Sequence, residues 1–156
     1  MKMSAVISEC GTYRYELTRE WGESDPACFI GLNPSTADAY KDDPTIRRCI
    51  SFAEEWDCGG LIMVNIYGYR ATKPKDMFSA AGRGVNIVGP ENMMYVKKAI
   101  QLSAVSIAAW GNDGDCCDAN DLIATGRLKH LGLNKNGTPK HPLYLPKNSK
   151  PMEFEF

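Results

Sequence analysis

A chain of 156 residues is the size of one ordinary domain, because two complete hydrophobic cores would be cramped in that length. Hydrophobic residues make up 44% and charged residues 24%, which excludes a disordered or collagen-like chain and predicts one globular domain over 1–156. The formal net charge of -1 supplies no bulk positive field, so any contact with nucleic acid must be local.

The first ten residues interrupt their few apolar positions with Lys2, Ser4, Ser8 and Glu9. No run of about 18 apolar residues follows, so neither a membrane span nor a secretory segment is expected and the predicted location is cytoplasmic. Ala5–Ser8 and Tyr13–Leu17 are rich in β-branched and aromatic residues and are joined across Cys10-Gly11-Thr12, which reads as a β-hairpin with positive φ at Gly11. The apolar run Ala27–Leu32, between Asp25-Pro26 and Asn33-Pro34, predicts a strand buried on both faces. Asp43-Pro44 reads as an N-cap followed by proline at the first helical position, and Ile46, Cys49, Ile50 and Ala53 recur at helical spacing over about 44–57. Gly59-Gly60 closes that helix, and Leu61–Ile66 is a second buried strand, parallel to the first through a helical crossover.

Pro74–Ala81 predicts a helical turn, and Glu91–Leu102 a helix whose Met94, Val96 and Ile100 face the sheet. Ala104–Trp110 is a third buried strand, and a helix over about 118–131 closes at Gly132, before a short strand near Leu133. Strands alternating with helices define an α/β fold: a three-layer α/β/α sandwich around a short, mainly parallel sheet, preceded by the hairpin. The six cysteines contain no C-x-x-C pair, Cys116 and Cys117 being adjacent and the others scattered, so buried reduced thiols and no metal are expected.

Ligands of open parallel sheets bind beyond the carboxyl ends of the strands. Gly31, Asn33, Pro34 and Ser35 follow the first buried strand, Asn65, Tyr67 and Arg70 the second, and Trp110, Gly111 and Asn112 the third. Amides and glycines at three strand ends suit a pocket that hydrogen-bonds a neutral, planar, polar group, and a nucleobase fits that description. Asn65 interrupts an apolar run, so its side-chain amide must find either a satisfied turn or a ligand. Tyr67, Tyr69 and Trp110 are candidates for stacking, while Arg47, Arg48, Arg70 and Lys73 are candidates for phosphate contacts. Of the two histidines, His130 is expected at a helix carboxyl end, whereas Pro142 restricts the backbone of His141 to extended values.

Six strings together resemble the bacterial and phage family known as domain of unknown function 1643. They are Phe29–Asp38 (FIGLNPSTAD), Asp43–Cys49, Val64–Ala71 (VNIYGYRA), Val88–Asn92, Ala109–Gly111 and Gly137–Leu145 (GTPKHPLYL). More distantly, GLNPS, VNIYGYRA and HPLYL, in that order, resemble blocks of the mismatch-specific and thymine branch of the uracil-DNA glycosylase superfamily. That resemblance implies a three-layer α/β fold and cleavage of an N-glycosidic bond. It also implies that Asn33 positions the attacking water, Asn65 reads the base, and His141 stabilises charge on the departing base. The implied partner is a nucleobase, a nucleotide, or single-stranded or flipped-out DNA, with no cofactor. Ser35 stands where the related motif has glycine, no acidic residue occupies the water-activating position, and the four-cysteine iron-sulfur spacing is missing. The alternative expectation is a binding module that sequesters or senses a nucleotide-derived ligand without catalysis.

Overall fold

The computed structural model describes residues 1–35, 38–114 and 117–155. Strands β1 (Lys2–Ile7) and β2 (Arg14–Glu20) form the hairpin, and Gly11 in its turn adopts φ +77. Then follow β3 (Ala27–Gly31), α1 (Pro44–Glu55), β4 (Gly60–Asn65), α2 (Pro74–Gly82), α3 (Asn92–Leu102) and β5 (Val105–Ala108). The chain ends with α4 (Cys117–Ala124), β6 (Lys129–His130), a 3-10 turn at Pro142–Tyr144 and β7 (Met152–Glu153).

All seven strands join one sheet in the order β1-β2-β4-β3-β5-β6-β7. The pairs β3–β4, β3–β5 and β5–β6 are parallel, whereas β1–β2, β2–β4 and β6–β7 are antiparallel. The sheet is therefore mixed, and the expectation of a short, mainly parallel sheet is corrected. The hairpin does not merely precede the sheet. β2 runs back along β4, with Leu17 opposite Met63 and Glu20 opposite Gly60, and so satisfies backbone groups that an exposed β4 edge would leave unpaired.

Alternate residues of β3 serve two apolar clusters, as the period of two in a strand requires. Ala27 and Phe29 pack with Ile46, Cys49 and Phe52 of α1, while Cys28 and Ile30 pack with Met77 of α2, Val96 and Ala99 of α3 and Leu122 of α4. Asp43 caps α1 as its sequence predicts: Oδ1 accepts the Ile46 N–H at 2.8 Å, and Pro44 begins the helix. The expected turn at Pro74 is a full helix, and on α3 Met94 is turned to solvent while Val96 is buried.

The helix expected to reach residue 131 stops at Ala124, because Thr125 caps it with a bond to the Leu122 carbonyl and Gly126 turns away at φ +73. His130 consequently lies in a strand rather than at a helix end. It is buried, and its Nδ1 accepts the Gly132 N–H at 3.0 Å. Near Leu133 there is only a single bridge, to Pro139. Cys28, Cys49 and Cys58 are free and buried, but Cys10 is exposed in the hairpin turn. Cys116, the Cys117 side chain, and Thr36 and Ala37 of the FIGLNPSTAD string lie outside the described residues. No helix among the described residues is long and apolar enough to cross a membrane.

Candidate functional site

The parallel register sets Gly31 beside Asn65 where β3 and β4 end. Beyond that point the two chains stay zipped: Ile66 N–H donates to the Gly31 carbonyl at 3.0 Å, Tyr67 N–H to Leu32 at 2.9 Å, and Ala71 N–H to Pro34 at 3.0 Å. The Asn33 amide nitrogen completes the seam with bonds to the carbonyls of Ala71 at 2.8 Å and Pro34 at 3.2 Å. After β5, Gly111 turns at φ +77, and its N–H donates to the Pro139 carbonyl at 3.0 Å, drawing the carboxyl-terminal segment across the strand ends. Between these elements lies a cleft of about 500 Å³.

From the first loop the cleft takes Gly31, Asn33, Pro34 and Ser35, and from β4 it takes Asn65. Trp110, Gly111 and Asn112 contribute from beyond β5, and His141 from the carboxyl-terminal segment. Two residues expected in the pocket do not line it. Tyr67 is buried in the core with its ring edge-on to Phe78, 5.9 Å away, and an Arg70 Nη1–H donates to the Gly11 carbonyl at 3.3 Å. The other candidate phosphate cations are also elsewhere: Arg47 donates to the Asp42 carbonyl, Arg48 to the Leu145 carbonyl, and Lys73 occupies the N-cap position of α2.

Asn65 is 3% exposed, and its side chain makes no hydrogen bond among the described residues. Its position is held from both sides. A Cβ on Gly31 would stand 2.6 Å from Asn65 Oδ1, so only glycine leaves room for the amide. From behind, the fully buried Asn92 of α3 donates through Nδ2 to the carbonyls of Asn65 at 2.9 Å and Ile66 at 3.0 Å.

On the opposite wall, Asp43 Oδ2 accepts the Ser35 hydroxyl at 2.9 Å, so the residue that caps α1 also presents a serine to the cleft. Arg14 of β2 joins this wall. Burial pushes its pKa down to about 10, with Asp43 favouring the charged form and Arg70 and Arg19 opposing it. His141 Nδ1 accepts the Leu143 N–H at 3.2 Å, which places the neutral imidazole's proton on Nε2. Burial pushes the His141 pKa below its ordinary value, and Asp43 partly offsets that shift.

Reasoning from sequence missed Arg14 and Asn92, and treated Asp43 only as a cap. A legible signal was the arginine at the start of an otherwise strand-like run; the tertiary placement of Asp43 had none. Among the described residues no group of three or more His, Cys, Asp or Glu is placed to hold a metal ion.

Fold and site together define an α/β protein with a polar cleft at the carboxyl ends of its central parallel strands. The chain belongs to the family described as Protein of unknown function (DUF1643), which matches residues 14–143. No curated protein and no solved structure matches it.

Proposed function

We propose that this chain binds a nucleobase in the cleft and hydrolyses the N-glycosidic bond joining that base to its sugar, on a three-layer α/β/α frame of the uracil-DNA glycosylase kind. The observation that carries the reading is Asn65: a buried carboxamide with one acceptor and two donors, open to the cleft, has the hydrogen-bonding complement of a base edge.

The surrounding residues suit the chemistry. As the C1′–N bond breaks, its electron pair moves onto the base and positive charge develops on the sugar. The Nε2–H of His141 is a donor for the charge building on the base. The Asp43 carboxylate faces the cation, and the Ser35 hydroxyl it holds can receive a proton from the attacking water while passing its own to Asp43. Asn33 has its amide nitrogen engaged with Ala71, which leaves Oδ1 to orient that water. The substrate is a base in single-stranded or flipped-out DNA, or in a free nucleotide, since a net charge of -1 does not favour a duplex.

One observation favours a second reading, a binding module that sequesters or senses a nucleotide without cleaving it. Both Asp43 oxygens and the Asn33 nitrogen already serve the scaffold, so the water-activating side is built for rigidity at least as much as for turnover.

The deciding experiment incubates the protein with single- and double-stranded oligonucleotides carrying uracil, mismatched and modified bases, and with free nucleotides. Mass spectrometry then follows released base and retained ligand. Released base that disappears with His141→Gln supports the hydrolase. Retained, unaltered ligand transfers the conclusion to the binding module, and neither signal overturns both.

A further inference from the structure

Beside the cleft lies a second hollow of about 280 Å³. The two share Gly111, Asn112, His141 and Tyr144, and the second extends to Asn134 and Lys140. We propose that this hollow is an anion subsite that receives the phosphate of a nucleotide whose base occupies the main cleft.

Charge distinguishes the two spaces. The main cleft sets the carboxylates of Asp43 and Asp113 against the guanidinium of Arg14, whereas the described lining of the second hollow has amides, an imidazole and an ammonium group and no carboxylate. Lys140 makes no ion pair among the described residues. The phosphate cations expected from sequence, Arg47, Arg48, Arg70 and Lys73, do not line either space, and Arg14 lines only the main cleft, so Lys140 is the ammonium group in the described lining of the second hollow.

The lysine is also held in place. Its backbone N–H donates to the Gly132 carbonyl at 2.9 Å, and the neighbouring Pro139 carbonyl accepts from Gly111, which tethers this segment to the end of β5. Gly132, at φ +141, has no side chain where the lysine stem lies; a Cβ there would come within 3.3 Å of Lys140 Cδ. Asn134 is fixed by a bond from its N–H to the Thr138 carbonyl at 2.8 Å and from its Nδ2 to the Thr138 hydroxyl at 3.2 Å. Tyr144, 84% exposed with its ring 6.1 Å from that of His141, stands on the shared wall where the sugar linking base to phosphate would pass.

This inference rests on the nucleobase reading of the main cleft, and the test separates the two. Calorimetric titration compares each common deoxynucleoside with its 5′-monophosphate, and with a trideoxynucleotide containing the same base, at low and moderate salt. For the preferred base, the monophosphate should bind about tenfold more tightly than the nucleoside, a ratio that falls with added salt. Lys140→Gln should bring the ratio close to one. A Lys140-dependent gain with the trinucleotide but not the monophosphate also supports the subsite and assigns its phosphate to a strand. Equal affinity of nucleoside and both phosphorylated ligands, or a ratio unchanged by Lys140→Gln, overturns the subsite while the nucleobase reading stands. Failure of every nucleoside, nucleotide and trinucleotide to bind overturns both.

Discussion

The two ends of the same central strands are finished in opposite ways. At the amino ends of β3, β4 and β5, main chain meets main chain: Gly59 N–H donates to Asp25, Ala104 N–H to Pro26, and Trp21 and Gly22 both donate to the Gly59 carbonyl. The fit is so close that a Cβ on Gly59 would overlap the Ser24 backbone. At the carboxyl ends the closure depends on side-chain amides. Asn92 and Asn33 bind carbonyls around the opening, and Asn65 presents its amide to the cleft. One end thus closes on backbone, and the other holds a side-chain amide in a fixed place at the cleft, which is the condition for recognising a ligand without reorganisation.

Four experiments sharpen or break this contrast. The largest effect is expected at the closed end, where Gly59→Ala forces a methyl group into backbone and should cost about 3 kcal/mol or more in urea unfolding. A loss below 1 kcal/mol would show that this end is not close-packed. At the open end, Asn92→Ala removes two buried hydrogen bonds and should cost about 2–3 kcal/mol by the same measurement, with ligand affinity falling in parallel because Asn65 loses its backing. Asn65→Leu should act in the reverse sense. Replacing an amide that faces the cleft leaves stability within about 1 kcal/mol, while affinity for the preferred nucleoside falls by about 1–3 kcal/mol. A destabilised but fully binding variant would remove Asn65 from the site.

The smallest effect is a pH dependence. Burial holds both His130 and His141 below the ordinary value of 6.5, and each accepts a backbone N–H through Nδ1. The unfolded chain therefore takes up protons first as pH falls. Stability should be level above about pH 6.5, decline below it, and level off again once the folded-state values are passed. Urea midpoints between pH 8 and 5 should show this decline, and His141→Gln should reduce its slope. An unchanged slope would mean that His141 is not buried at the cleft.

Much of the frame was legible because it follows from local rules. Ala27–Gly31 and residues 60–64 are uninterrupted apolar runs between polar or turn residues, and Asp43-Pro44 carries its own cap chemistry. The candidate site was legible to the extent that strand ends are. Gly31, Asn33, Asn65 and Gly111 follow apolar runs, so their meeting around one cleft depends only on the strands lying side by side. Tyr67 and Arg70 follow the same strand, yet they leave the cleft because the chain beyond Ile66 turns to pair with Gly31–Pro34 and the hairpin.

The sequence by itself determined where the buried strands and the first helix form, since alternation, apolar length and capping act over a few residues. Only the tertiary structure decided that β2 docks antiparallel on β4, that His130 pairs with Met152 in the sheet, and that Arg14 and Asp43 meet beside Ser35. Those outcomes depend on backbone groups finding partners, and charges finding neighbours, far away in the chain. A local pattern carries no information about such distant pairings.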